Sequence, residues 1–251
     1  MGGLDGQIAD LGAGGSLLVV LIVALVLGLR HATDPDHLTA VSTLIASEGD
    51  DGTRRAARLG LAWGGGHATT LIAFGLPVVL FGSALPGPLQ RACEMAVGVM
   101  IIALAVRLLL RWRGGHFHAH AHRHGAIEHR HLHGHEGPAH DHVHASASQL
   151  GRSSLQAYGI GLVHGAGGSA GVAVLLIAGA PGRGEAVAAL LVFALATALS
   201  MTMLSLFTGW ALTRGAVVQR ALAVTPALGV FSLTFGAWYL LGAAGAVAYP
   251  L

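Results

Sequence analysis

The stretch His31-Ala32-Thr33-Asp34-Pro35-Asp36-His37 sets two imidazoles and two carboxylates within seven residues, with apolar sequence on both sides. Imidazole nitrogen and carboxylate oxygen together suit nickel, cobalt, zinc or ferrous iron. Cys93 is the one cysteine, so neither a thiolate metal site nor a disulfide framework is available, and Cu(I) is disfavoured. His31, Asp34 and His37 follow an i, i+3, i+6 spacing. On a continuous helix they would spread over about a third of the circumference, with Asp36 pointing elsewhere. Pro35 lacks an N–H and leaves the carbonyl of His31 without its helical partner. A break at Asp34-Pro35 follows, which can turn Asp36 back toward the others. An aspartate at the bilayer centre costs about 2.5–3.5 kcal/mol on insertion scales. Nothing structural in one helix demands two of them, whereas a bound cation would offset both.

Twelve of the sixteen histidines fall in a low-complexity segment, 114–152: His116, His118, His120, His122, His124, His129, His131, His133, His135, His140, His142 and His144. The other four, His31, His37, His67 and His164, all lie in predicted membrane spans. His67 sits in Trp63-Gly64-Gly65-Gly66-His67-Ala68-Thr69-Thr70, where an interhelical hydrogen bond is the bland alternative to ligation. His164 sits in Gly161-Leu162-Val163-His164-Gly165-Ala166-Gly167-Gly168-Ser169, where close glycine packing is that alternative. Arg30 reads as the charge that neutralises Asp34 or Asp36. Glu94 and Arg107, near the ends of a span, read as snorkelling or salt-bridged. Candidate metal ligands are therefore His31, Asp34, Asp36, His37, His67 and His164, with His31, His37 and Asp36 as the principal set.

The elements that must position these residues are membrane helices. The 251 residues are 53% hydrophobic and 10% charged, with mean hydropathy +0.65, far from the roughly 25% charge of a soluble domain. All fourteen basic residues are Arg, and a net charge of +2 with pI near 9.2 does not argue for nucleic acid. The acidic start, with Asp5 and Asp10, lacks the positive region of a secretory signal peptide. Five windows are long and apolar enough to span: about 59–81, 92–110, 155–180, 186–212 and 221–249. The sixth is 16–47, about 48 Å if continuous against a hydrocarbon core of about 30 Å, so it must be tilted, broken or partly outside. With six spans, eleven arginines fall on one side and two on the other, Arg30 being set aside within the membrane. The positive-inside rule then puts both termini outside the cell membrane and the histidine-rich loop in the cytoplasm. That loop cannot bury a core and is expected to be disordered without metal. Its histidines would capture or buffer metal, or make a pH-responsive tether.

A faint internal repeat completes the plan. Gly28-Leu29-Arg30-His31-Ala32 recurs as Gly161-Leu162-Val163-His164-Gly165, and the same offset of 133 sets His67 against Ser200 and Phe74 against Phe207. Gly98-Val99 matches Gly229-Val230 at a similar offset. Three spans per half means oppositely inserted halves, with a site near the midplane where broken helices meet. The expectation is an all-α, six-span protein: 1–113 as the first three-helix half, 114–152 as the loop, and 153–251 as the second half.

His31-Ala32-Thr33-Asp34-Pro35-Asp36-His37 resembles the signature of the nickel/cobalt transporter family, a His, four residues, then Asp-His in a membrane helix. Gly66-His67-Ala68-Thr69 resembles that family's second motif, and the histidine-rich loop after the third span resembles its efflux branch. The resemblance implies a membrane transporter of Ni2+ or Co2+, with the metal as substrate, no cofactor and no enzymatic activity. The chain departs from the importers, which carry carboxylates where Gly161–Gly171 has His164 and none, and in the fifth span, where Thr197–Thr202 has none. Pro35 stands where the family usually has a small residue. These departures place it nearer the shorter branches, which include urease-accessory membrane proteins. A zinc transporter and a non-transporting metallochaperone for urease or hydrogenase assembly remain open, the latter with cytosolic metal-handling partners. A di-iron membrane enzyme would need about eight clustered histidines, and no His-Glu-x-x-His supports a metalloprotease. Since histidine must be neutral to ligate, metal uptake should release protons and weaken below about pH 6.

Overall fold

The computed structural model describes residues 16–46, 52–82, 86–114, 118–124, 127–133, 153–212 and 215–248. The termini and the rest of the histidine-rich loop, on which the expected topology partly rests, lie outside these residues. Among the described residues seven helices follow one another: α1 Leu17–His31, α2 Pro35–Ala46, α3 Gly52–Phe81, α4 Gly87–Arg113, α5 Ser154–Gly179, α6 Arg183–Leu212 and α7 Gly215–Ala243. The fold is all-α except for one hairpin between α4 and α5.

α3, α4 and α6 are each long and apolar enough to cross a membrane, as is the 225–243 stretch of α7, and the bent pair α1 and α2 passes the same test when taken together, as a broken span or a re-entrant loop. The protein is a multi-pass membrane protein. α5 has 26 residues, about 39 Å of helix. α3 and α4 extend beyond their apolar windows through Arg54, Arg55, Arg58, Arg111 and Arg113, because arginine is a good helix former and keeps its head in water from a helix end. α7 stops short of the expected end at 249. Gly245 adopts φ +77° beyond it, and the N–H of Ala246 reaches back to the Leu241 carbonyl at 2.9 Å, closing the helix.

The break between α1 and α2 is a single tight turn with a 49° bend. Pro35 opens α2, where its missing N–H costs nothing. The carbonyls it leaves behind are taken locally: Asp34 N–H donates to His31 at 3.1 Å, and Thr33 donates to Arg30 from its N–H at 2.8 Å and its hydroxyl at 2.6 Å. The Asp34 carbonyl then starts α2 by accepting from Leu38 N–H at 3.0 Å.

α3 lies against both α5 and α6, α1 lies against α6, and α4 pairs with α7. The approaches are close because glycine stands at the crossings. A Cβ on Gly66 would strike the Tyr158 carbonyl, and one on Gly161 would strike the Trp63 carbonyl. At the α1–α6 crossing a Cβ on Gly28 would lie 2.7 Å from Ala196 Cβ. Gly28 and Gly161 are 133 residues apart, and so are Trp63 and Ala196, so these two crossings exchange under the offset seen in the sequence. Gly98 meets Leu240 and Gly229 meets Leu109, and these partners exchange under an offset of 131.

The hairpin pairs β1 His118–His124 with β2 Ile127–His133, setting His118 opposite His133, His120 opposite His131 and His122 opposite His129. This differs from the disorder expected of the segment. Its His-x-His-x alternation has the period of a strand, and ladder hydrogen bonds need no buried core to form.

Candidate metal centre

The break puts His31 on the last turn of α1 and Asp36 and His37 on the first turn of α2, so Asp36 also favours the helix N-terminus electrostatically. His67 comes from the middle of α3 and His164 from α5. His37, His67 and His164 are all among the most deeply buried side chains, and Asp36 is buried beside them. All six residues singled out in the sequence meet in one cluster. Ring centroids lie 4.5 Å apart for His31 and His37, 5.3 Å for His31 and His67, 5.0 Å for His37 and His67, and 4.2 Å for His37 and His164.

The two carboxylates bond to ring nitrogens of three of the histidines. Asp34 Oδ2 is 2.9 Å from His31 Nδ1, and Asp36 Oδ1 is 3.0 Å from His37 Nδ1. Asp36 spends its other oxygen on His164 Nε2, also at 3.0 Å. Arg30 Nη2 stands 3.9 Å from Asp34 Oδ1, so it neutralises Asp34 rather than Asp36. Five buried ring nitrogens have no hydrogen-bond partner in the protein: Nε2 of His31, Nε2 of His37, both nitrogens of His67, and Nδ1 of His164. A buried polar atom left unpaired costs about 1–3 kcal/mol, so five in one place call for a ligand. The bland reading of His67, an interhelical hydrogen bond, finds no support. The glycines around His164 do pack as that reading holds, with a Cβ on Gly165 falling 2.6 Å from the His67 carbonyl. That packing also brings His164 to the cluster.

Two groups of donors are close enough to share a cation: His31, His37 and His67, and separately Asp36, His37 and His164, with ligand atoms within 4.8 Å of one another in each. Ligands of a tetrahedral cation lie about 3.4 Å apart, so the donors need to draw in by about 1 Å or less. At His31 and His37 the pattern is carboxylate, then imidazole, then open nitrogen. A carboxylate behind a histidine fixes its tautomer and turns the lone pair of the far nitrogen outward, the usual arrangement behind a metal ligand. Asp34 and Asp36 thus stand behind His31 and His37, while Asp36 is also a donor of the second group and His67 joins His31 and His37 in the first.

Sequence reasoning missed the residues that frame the cluster. Trp63, four residues before His67 and so on the same face of α3, has its indole 5.9 Å from the His37 ring and 5.7 Å from that of His164. Phe193 of α6 closes the His31 side at 5.4 Å. The i, i+4 spacing of Trp63 and His67 was the available signal; Phe193 had none. Thr70 ties α3 to α5 by donating to the Leu162 carbonyl at 2.9 Å, and Ser200 ties α6 to α1 by donating to the Leu29 carbonyl at 2.7 Å.

The chain is similar to the urease accessory protein UreH of Bacillus sp. (strain TB-90), at 26% identity over 225 residues that cover 89% of this chain and 91% of that protein. No protein-family model matches the chain, and no solved structure does.

Proposed function

We propose that the protein is a membrane transporter of divalent transition-metal cations, Ni2+ or Co2+, which bind at the His31–His37–His67 cluster. The observation that carries this reading is the set of unpartnered imidazole nitrogens buried within the helix bundle, backed by two carboxylates. A donor set of nitrogen and oxygen without sulfur suits these metals. The resemblance of His31–His37 to the nickel/cobalt family signature and the likeness to a urease accessory protein both favour nickel. The crossings that exchange under offsets of 133 and 131 support two three-span halves of opposite orientation, with α5 as the sixth span. In that arrangement both termini are outside and the histidine-rich loop is cytoplasmic, where it collects or delivers metal.

The test is uptake of Ni2+ and Co2+ by liposomes containing the purified chain, with Zn2+ as competitor. Parent protein should carry nickel and cobalt, and His31→Ala and His37→Ala should not. Equal fluxes in parent and variants would remove the site assignment, and preference for zinc would make it a zinc transporter. The accessory role named for the relative favours one second reading, a membrane metallochaperone that holds metal without moving it. Binding without flux would establish that one.

A further inference from the structure

Among the described residues, His31, His37 and His67 form one close set of donors and Asp36, His37 and His164 another, and His37 is common to both. His31 and His164 are also counterparts in the repeat, 133 residues apart like the glycines three positions before each. Counterparts in oppositely inserted halves face opposite sides of the membrane, so each of these histidines belongs to one side's approach to the centre. Their surroundings differ accordingly. The side chains of Arg30, Asp34 and His31 are 35%, 22% and 15% exposed, whereas that of His164 is 1% exposed.

We propose that the centre holds two successive positions for one cation, a loading position at His31, His37 and His67 and a release position at Asp36, His37 and His164, with His37 common to both. This rests on the transport reading of the preceding section. His37 can serve both because its two nitrogens face different groups: Nε2 is unpartnered, while Nδ1 is 3.0 Å from Asp36, whose other oxygen is 3.0 Å from His164 Nε2. At loading, Nε2 binds the cation and Nδ1–H donates to Asp36. At release, the metal bonds to His31, His67 and His37 Nε2 have broken and bonds have formed to His37 Nδ1, His164 Nε2 and an Asp36 oxygen. The protons of the two rings move to the opposite nitrogens, Nε2 of His37 and Nδ1 of His164, by exchange with water accompanying the cation. Both imidazoles remain neutral throughout, as ligation requires. The Asp36 carboxylate, which orients His37 in the first position, becomes a ligand in the second. An anionic ligand there takes the place of one of the three imidazoles of the first position.

The test uses the full chain in lipid nanodiscs, with Co2+ as probe and its visible absorption as readout, beside Co2+ flux in proteoliposomes. His67→Ala should weaken binding at least about tenfold, the usual scale for loss of a ligand or its support. His164→Ala should leave the dissociation constant within about threefold of the parent yet lower the flux at least about tenfold. His164→Gln keeps most of the side chain's bulk and should behave the same way, which separates lost ligation from lost folding. Binding weakened as much by the His164 variants as by His67→Ala would mean a single site and overturn the proposal. So would His164 variants that carry cobalt at the parent's rate. If the parent binds cobalt but moves none, the transport reading fails by itself. The two positions are then judged by binding alone: the residual cobalt signal of His67→Ala must vanish when His164→Ala is added, and its persistence would overturn the proposal.

Discussion

Asp36→Asn changes one oxygen to an amide nitrogen at the centre of the cluster, and its effect follows from hydrogen-bond arithmetic. The carboxylate accepts at both oxygens, from His37 Nδ1 at 3.0 Å and His164 Nε2 at 3.0 Å. The amide accepts at one atom and donates at the other, so one of the two imidazoles must turn from donor to acceptor. If His37 turns, its proton moves to Nε2, the nitrogen that the loading group needs as a lone pair. If His164 turns, the new amide still holds His37 correctly but as a neutral acceptor, whose hydrogen bond is about half as strong as that of a carboxylate. Both routes weaken the metal without removing a donor of the His31–His37–His67 group. Loss of a carboxylate behind a metal-binding histidine costs about 10–100-fold in affinity, or about 1.4–2.7 kcal/mol. Cobalt titration of the purified variant reads this directly, with thermal unfolding of metal-free protein as the folding control. A dissociation constant within twofold of the parent would refute the orienting role. A loss beyond about a thousandfold would refute it too, by making Asp36 an equilibrium ligand of the loading position.

Gly161→Ala puts a methyl group onto the Trp63 carbonyl and must part α5 from α3, so it should destabilise by about 1–3 kcal/mol and weaken cobalt binding by displacing His164 and His67 together. Gly65→Ala on α3, with nothing within 4 Å of its new methyl, should be neutral or slightly stabilising in the same thermal assay, as a helix-interior glycine replaced by alanine. Thr70→Val removes the 2.9 Å hydrogen bond to the Leu162 carbonyl and should cost about 0.6–1.7 kcal/mol of stability, measured by denaturation in detergent.

The cluster was legible because charge in a membrane is costly: four histidines and two aspartates inside apolar windows stood out, and all six meet. Pro35 marked the break for a local reason, the missing N–H, and local reasons can be read from sequence. What each residue does within the cluster could not be read. The i, i+3, i+6 spacing describes a helix that the chain does not form there, and the division of labour between Asp36 and His67 is made by where α3 and α5 cross. That crossing is set by Gly66 and Gly161, whose packing on one another's backbones involves residues about ninety apart. Phe193 was invisible for the same reason, as one apolar residue among many in α6. The hairpin was open to reading from the alternation, a period of two that matches a strand, where composition alone pointed to disorder.

Formal charge at the centre explains the remaining feature, an arginine beside a cation site. Asp34 and Asp36 contribute two negative charges and Arg30 one positive, with Arg30 Nη2 3.9 Å from Asp34 Oδ1. The metal-free centre therefore carries −1 and the centre holding a divalent cation +1. The cost of embedding charge in a low-dielectric medium grows with its square, so the two states are penalised alike. Under the proposed transport function, in which the cation must be both taken up and given up, that balance favours turnover. Without Arg30 the states become −2 and 0, and the balance tips toward the loaded one. A single and a double charge about 10 Å apart interact by about 3 kcal/mol at an effective dielectric constant of about 20. Arg30 is about a third exposed, which screens that figure to about 1–2 kcal/mol. Arg30→Gln should thus bind cobalt about tenfold more tightly while turning over more slowly in proteoliposomes at saturating metal. A variant that binds more weakly would show that Arg30 serves the site by holding Asp34 in place and that the charge balance is incidental.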